Sequence, residues 1–169
     1  MSVDIESIET IGTITTPIRL EYEIQAGRAM ARFLGGLAQG KIRGQRCPVC
    51  SEVYVPPRGS CPKDGVPTEE EVEVSDEGVI ETFCIVNIPF YGQVLQIPYV
   101  CASVRLDGAD LAFQWLVEEV KPEDVHQGMR VKAVWVPDGE LRPSMESIRY
   151  FRPADPEKRM ALSEESADA

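Results

Sequence analysis

The sequence predicts a mainly β protein: an N-terminal amphipathic helix, then a zinc ribbon, then a five-stranded barrel of the OB type. Three observations predict it. Cysteines recur as Cys47-x2-Cys50-x10-Cys61 with Asp64 three residues on, among Pro and Gly at turn positions. Apolar residues between about Glu21 and Gln39 recur at helical spacing. Beyond Glu71 the chain breaks into strand-like runs separated by turn signals.

Residues 1–20 read as an extended arm, because "TITTPIRL" is rich in β-branched residues around a Pro break. Residues 21–40 form the helix. Ile24, Met30, Phe33, Leu34 and Leu37 recur at spacings near three and four, Ala26 and Ala29 fill the same side, and Gly40 is a natural stop. Gly35 and Gly36 weaken the last turns by roughly 1 kcal/mol each relative to Ala. The apolar stripe can pack on its own domain or on a partner. The ribbon that follows offers little apolar surface, which makes Met30, Phe33, Leu34 and Leu37 candidate partner contacts.

Residues 41–68 make the ribbon and residues 69–153 the barrel. "EVEVSDEGVIETFCIVNIP" gives two β-rich runs about an Asp-Glu-Gly turn, or one long bent strand. "YVCASVRL" and "LAFQWLVEEV" flank Asp107-Gly108, a hairpin signal. "KPEDVHQGM", with Pro122, reads as a short helix or turn before "RVKAVWVP" and "MESIRYFRP". Five strands with a helical connection between the third and fourth fit a small closed barrel. Residues 154–169 read as an acidic, flexible tail.

Composition narrows the function classes. No run of 18 apolar residues occurs and "MSVDIESIETIG" does not resemble a signal peptide, so a soluble, cytoplasmic protein without a membrane partner is expected. Five cysteines in such a chain point to thiols or metal ligands rather than disulfides. A net charge of −11 argues against a nucleic-acid partner, whose binding needs clustered Lys and Arg. The charge is uneven, however. Lys41, Arg43, Arg46, Arg58 and Lys63 face only Glu52 and Asp64 within residues 41–64, whereas residues 69–81 carry seven acids and no base. Such a basic island suits a small anionic ligand; chance clustering on a solvated surface is the alternative.

The strongest chemical motif is the cysteine set. A two-residue spacer lets both side chains of a turn point to one centre, and two such turns supply a tetrahedron. Three thiolates favour zinc, and an Asp oxygen is an acceptable fourth ligand. Cys47, Cys50, Cys61 and Asp64 are thus the candidate metal ligands, for one structural zinc completed by Asp64 or water. A metal-free ribbon and an open catalytic zinc are the other readings. Against covalent catalysis stands a single histidine, His126, in a polar connection. No P-loop or dinucleotide fingerprint occurs. Cys84 and Cys101 lie in apolar strand runs and read as core thiols; Trp115 and Trp135 likewise read as core.

The order of helix, "GQRCPVCSEVYVPPRGSCPKDG", five strands and "KPEDVHQGMRVKAVW" resembles the family first called domain of unknown function thirty-five. The likeness covers roughly residues 21–153, with Tyr54-Val55-Pro56-Pro57-Arg58 and Val125-x-x-Gly128-Met129-x-Val131 as its specific segments. It implies a rubredoxin-like zinc ribbon joined to an OB-fold, in which Cys47, Cys50 and Cys61 match three of four family cysteines and Asp64 replaces the fourth. It also implies a non-catalytic accessory subunit of a thiolase-superfamily enzyme, a thiolase or a lipid-transfer-protein-like aldolase. Such enzymes act on acyl-CoA in lipid or steroid side-chain degradation. Arg43, Arg46, Arg58 and Lys63 would then be candidates for contacts to CoA phosphates. Two rivals come from other classes. One is a single-stranded nucleic-acid binder stacking bases on Phe83, Phe90, Tyr91 and Tyr99, though Lys and Arg are sparse around them. The other is a stand-alone zinc enzyme.

Overall fold

The structure, a computed structural model, describes residues 23–154. The arm at 1–20, the first two residues assigned to the helix, and the tail beyond Ala154 lie outside the described residues. Helix α1 spans Gly27–Leu37, shorter at both ends than the sequence suggests. Ala26 at its N-cap has no side-chain oxygen to hold the first free N–H groups, so the periodic residue Ile24 stays ahead of the helix. At the other end the chain turns back at once: Lys41 N donates to the Gly36 carbonyl at 3.0 Å. A Cβ on Gly36 would lie 2.9 Å from the Lys41 oxygen, so this glycine gives the reversal its room.

Phe33 and Leu37 are 2% and 0% exposed and belong to the chain's own core, with Met30 and Leu34 half-buried against it. This corrects the expectation that these residues are free to meet a partner. The ribbon presents a larger apolar surface than its sequence suggests, because Ile42, Val53, Val55 and Val74 pool their side chains under the helix.

Three strands form the ribbon's sheet: β1 (Ile42–Arg46), β2 (Val53–Tyr54) and β3 (Glu70–Val74), in the order β2-β1-β3 and antiparallel. The pairing of β3 with β1 differs from the sequence assignment, which gave everything after residue 68 to the barrel. The chain does bend at the expected turn, between β3 and β4 (Glu77–Val86). Period-two alternation marks a strand but does not say which sheet it joins.

The barrel is closed by β4, β5 (Tyr99–Leu106), β6 (Phe113–Val117), β7 (Arg130–Trp135) and β8 (Ile148–Pro153), in the order β4-β5-β6-β8-β7. Only the β6–β8 pair is parallel. Alternation along β5 sends Val100, Ala102, Val104 and Leu106 inward. Phe151, Val131 and Ile148 fill the interior from β7 and β8. The Asp107-Gly108 turn follows β5 as expected, with Gly108 at φ +90°, and a 3-10 turn at Pro122–Asp124 separates β6 from β7. Gly78 permits the tight β4–β5 approach: a Cβ there would sit 2.3 Å from the Arg105 carbonyl oxygen.

Ribbon and barrel share one continuous core. Their contact is fixed by a reciprocal pair in which Val53 N donates to Asp110 Oδ2 at 2.7 Å and Asp110 N donates to the Val53 carbonyl at 3.0 Å. One expectation about side chains needs correction. Cys84 is exposed and Cys101 half-buried, because both point outward from a register in which they face each other across β4 and β5. Trp115 and Trp135 are half-buried and pack against the core, as the sequence suggests; Trp115 lies edge-on to Phe113 at 5.8 Å, and Trp135 Nε1 donates to Asp76 at 3.4 Å. Among the described residues no helix is long and apolar enough to cross a membrane.

Burial of α1 gives a direct test. Leu37→Ala should cost about 2–5 kcal/mol in urea unfolding, the range for a buried Leu truncation. A cost below about 1 kcal/mol would return the helix to the role of a free docking element.

Candidate metal centre

Two knuckles of matching design build the site. In the first, Cys47 N donates to the Glu52 carbonyl at 2.8 Å and Ser51 N to the Cys47 carbonyl at 3.1 Å. In the second, Cys61 N donates to the Val66 carbonyl at 2.8 Å and Gly65 N to the Cys61 carbonyl at 2.9 Å. The turn-closing residues match as well, Ser51 at φ 64° and Gly65 at φ 67°. By this correspondence Asp64 stands where Cys50 stands in the first knuckle.

Cys47, Cys50, Cys61 and Asp64 bring their ligand atoms within 4.8 Å of one another. The Cys50 and Cys61 sulfurs are 3.7 Å apart, and Asp64 Oδ2 lies 3.2 Å from the sulfurs of both Cys47 and Cys61. Metal–ligand lengths of about 2.3 Å to sulfur and about 2.0 Å to oxygen imply, in a tetrahedron, separations near ~3.8 Å and ~3.5 Å. The donor set therefore fits a small four-coordinate ion, with an Asp64 oxygen in place as the fourth donor. Backbone N–H groups aim at the sulfurs: Val49 N lies 3.3 Å and Cys50 N 3.5 Å from Cys47 Sγ, and Asp64 N 3.4 Å from Cys61 Sγ.

Tyr54, missed by the sequence reading as a site residue, is 1% exposed, and its hydroxyl lies 3.2 Å from Cys61 Sγ. The hydroxyl also reaches Glu52 Oε2 at 2.9 Å, while Glu52 pairs with Lys63. Burial opposes ionisation of Cys61, yet the Tyr54 hydroxyl and the N–H groups of Asp64 and Lys63 lower its pKa overall. Cys50 goes the other way. The Glu52 N–H favours its thiolate, but burial and hydrogen bonding with Asp64, Cys47 and Cys61 push it up to about 12. The same thiols hold the Asp64 carboxyl below its ordinary range. Four acidic groups so close cannot all ionise without a cation between them, which is what a metal site requires of its ligands. Tyr54 is fully buried next to Gly44 in the pairing of β1 and β2, and the sequence signal for it was its place in the hairpin between the knuckles.

The basic island is largely spoken for. Arg46 pairs with Glu70 at 3.3 Å, Arg43 with Glu71 at 3.8 Å, Lys41 with Glu73 at 2.9 Å, and Lys63 with Glu52. Of the four residues considered for CoA phosphates, Arg58 is exposed and makes no ion pair among the described residues. Arg43 and Arg46 are not free, because β3 brings the acidic run directly against β1, and Lys63 is held by Glu52 within the ribbon. His126 is exposed, with Nδ1 3.0 Å from the Asp124 carbonyl oxygen, and it is not one of the ligand group.

Comparison with known proteins places this arrangement. Residues 35–70 match the family model described as the ChsH2 rubredoxin-like zinc ribbon domain, and residues 71–136 the one described as the ChsH2 C-terminal OB-fold domain. A DUF35 domain-containing scaffold protein from Methanocaldococcus jannaschii is 40% identical over 94 residues, 54% of this chain and 65% of that protein. A probable enoyl-CoA hydratase alpha subunit from Thermomonospora curvata is 29% identical over 150 residues, 89% of this chain and 45% of that protein. The alignments thus leave a third or more of each relative unmatched. Two solved structures share the fold at 24% identity. The Ltp2-ChsH2(DUF35) aldolase has a TM-score of 0.58 over 76% of this chain and 97% of that one. A DUF35-family protein of unknown function from Sulfolobus solfataricus has a TM-score of 0.59 over 76% and 87%. With the two adjoining domain matches running in the family's order over the ribbon and barrel seen here, the chain belongs to the ChsH2-type DUF35 family of rubredoxin-like zinc ribbons joined to OB-folds.

Proposed function

We propose that this chain is a non-catalytic accessory subunit that binds and stabilises a thiolase-superfamily enzyme acting on acyl-CoA, in lipid or steroid side-chain breakdown. One observation carries the reading. The four ligand positions around the candidate metal are all filled by protein groups, and the sequence's single histidine lies outside that cluster. A catalytic zinc keeps a position for water or substrate, whereas a structural zinc is closed by protein. The zinc is then a staple for the knuckles, and chemistry belongs to the partner. The relatives support this direction: one is named as a scaffold, one as an aldolase assembly, and one as a subunit of an acyl-CoA enzyme. If the CoA phosphates meet this chain, Arg58 is the one of the four candidates without an ion pair among the described residues, with the partner supplying the remainder.

A second reading of the enzyme served, an acyl-CoA hydratase in place of a thiolase or aldolase, is favoured by the alignment with the hydratase subunit over 89% of this chain. The purified chain alone should turn over no acyl-CoA substrate. Co-expressed with thiolase-superfamily proteins of its own cell, it should form a stable complex with activity in thiolysis or retro-aldol cleavage. Complexes active only in enoyl-CoA hydration would select the second reading. Robust turnover by the chain alone would move it to the zinc enzymes, and sub-micromolar, salt-sensitive binding of single-stranded oligonucleotides without any protein complex would select the nucleic-acid reading.

For the metal, elemental analysis of protein purified without added metal should give close to one zinc per chain. Asp64→Ala should weaken zinc retention in chelator competition by roughly tenfold or more, and Asp64→Cys should strengthen it. Tyr54→Phe, which removes a hydrogen bond to Cys61 and no ligand, should weaken it by roughly tenfold. A folded protein without zinc would sink the structural-metal reading. Unchanged retention in both Asp64 variants would remove Asp64 from the ligand set.

A further inference from the structure

No charged side chain occurs between Glu81 and Arg105, in a chain where 27% of residues are charged. This uncharged stretch makes the end of β4, the connection 87–98 and the start of β5. Within the connection the apolar side chains are on the outside. Tyr91 and Val94 are 92% and 94% exposed, and Ile88, Phe90, Leu95, Ile97 and Phe83 are exposed as well. The connection is held in shape by Gln93, whose N–H donates to the Phe90 carbonyl at 3.2 Å and whose side chain reaches the Phe90 N–H and the Leu95 carbonyl.

With roughly 200 Å² per large side chain, the exposed fractions of these seven residues amount to on the order of 900 Å². A typical monomer's largest apolar patch is about 300–600 Å², and one side of a standard interface covers about 800 Å². The patch is therefore large enough to be one half of a stable interface. It does not stop at the connection. Leu95 also lines an outer groove of about 700 Å³ that runs over Trp115, Leu116, Met145 and Ile148.

From this surface we infer that the uncharged β4–β5 connection, with Tyr91 and Val94 at its centre, is the docking surface for the enzyme subunit of the complex proposed above. The inference rests on that reading and replaces α1 as the contact. Charge selects the occupant. Glu118, Glu119, Glu146 and Arg149 line the grooves that Leu95 shares with the barrel, and Glu119 and Glu146 are paired with Arg152 and Arg142. A complementary partner offers an apolar cleft with a polar rim, since interface centres are apolar and depleted of charge. A second copy would bring together two chains of −11 each, which repel. A bilayer surface is disfavoured because the stretch has no Lys or Arg to engage anionic headgroups.

The test uses the full chain co-expressed, one at a time, with the thiolase-superfamily proteins of its own cell. The double variant Tyr91→Asp, Val94→Asp removes two nearly fully exposed side chains, so urea stability and zinc content should match wild type. Its affinity for the partner that wild type binds should fall about a hundredfold, as for two interface anchors. A loss smaller than tenfold, with wild type still in complex, would overturn the docking surface and leave the accessory-subunit reading standing. If wild type binds none of these proteins, the accessory reading fails and the inference falls with it. Two further outcomes would overturn it in favour of another occupant. One is a wild-type dimer that the double variant dissolves; the other is wild-type sedimentation with phosphatidylcholine–phosphatidylglycerol vesicles that the variant abolishes.

Discussion

The antiparallel return of β3 onto β1 is the constraint on which the rest of the molecule depends. Five consecutive residue pairs, from Ile42–Val74 to Arg46–Glu70, fix the register. Strand β3 leads through Ser75 and Asp76 straight into the barrel's first strand, so this pairing places the ribbon on the barrel. On the inner side the register sets Ile42 opposite Val74 beneath Leu37 and Phe33, in the shared core. On the outer side it sets a row of Lys and Arg against a row of Glu. Exposed pairs of this kind contribute about 0–1 kcal/mol each, so the apolar side supplies most of the hold. The charges do other work. They oppose a one-residue slip, which would turn Val72 and Val74 outward and bring Glu71 and Glu73 into the core.

Seen through that register, the acidic run after the ribbon and the basic residues within it are two halves of one ladder. It continues past the bend, where Lys132 meets Asp76 and Glu77, and Arg105 meets Glu81. Arg130 adds a two-pronged contact to Asp107 and lies 3.8 Å from Glu77, which secures the β5–β6 turn to β7. A linear reading counts charge along the chain and finds an anion site where the folded protein has largely neutralised itself. Arg58, which follows β2, has no ion pair among the described residues.

This is also the pattern of what could be read in advance. The metal cluster was legible residue by residue, since ligand spacing within a knuckle is a local property and both knuckles lie within nineteen residues. The five barrel strands and the Asp107-Gly108 turn were legible for the same reason: period and turn chemistry are local. What depends on long-range pairing was not. The membership of β3, the destination of the α1 stripe, and the outward facing of Cys84 and Cys101 each follow from partners tens of residues away. Tyr54 was quoted as part of a motif, but its hydroxyl beside Cys61 follows only from the hairpin's side-chain directions.

Burial and charge together then say where the molecule can meet another. The helix face is spent, the basic row is paired, and the knuckles close on each other. Between β4 and β5 the balance is reversed: from Thr82 to Val104 the sequence has no charge with which to face water, and Ile88, Phe90, Tyr91 and Val94 of the connection stay exposed. Exposed apolar residues scattered singly need no explanation, but a contiguous set on a hydrogen-bonded connection does. The barrel does not require them, because its interior is already filled by the inward residues of β5, β7 and β8. Folding alone therefore does not account for Ile88, Tyr91 and Val94, whereas association does. In this arrangement β3 fixes the ribbon to the barrel, and the barrel holds an uncharged loop in a defined shape, so that little ordering entropy remains to be lost on binding.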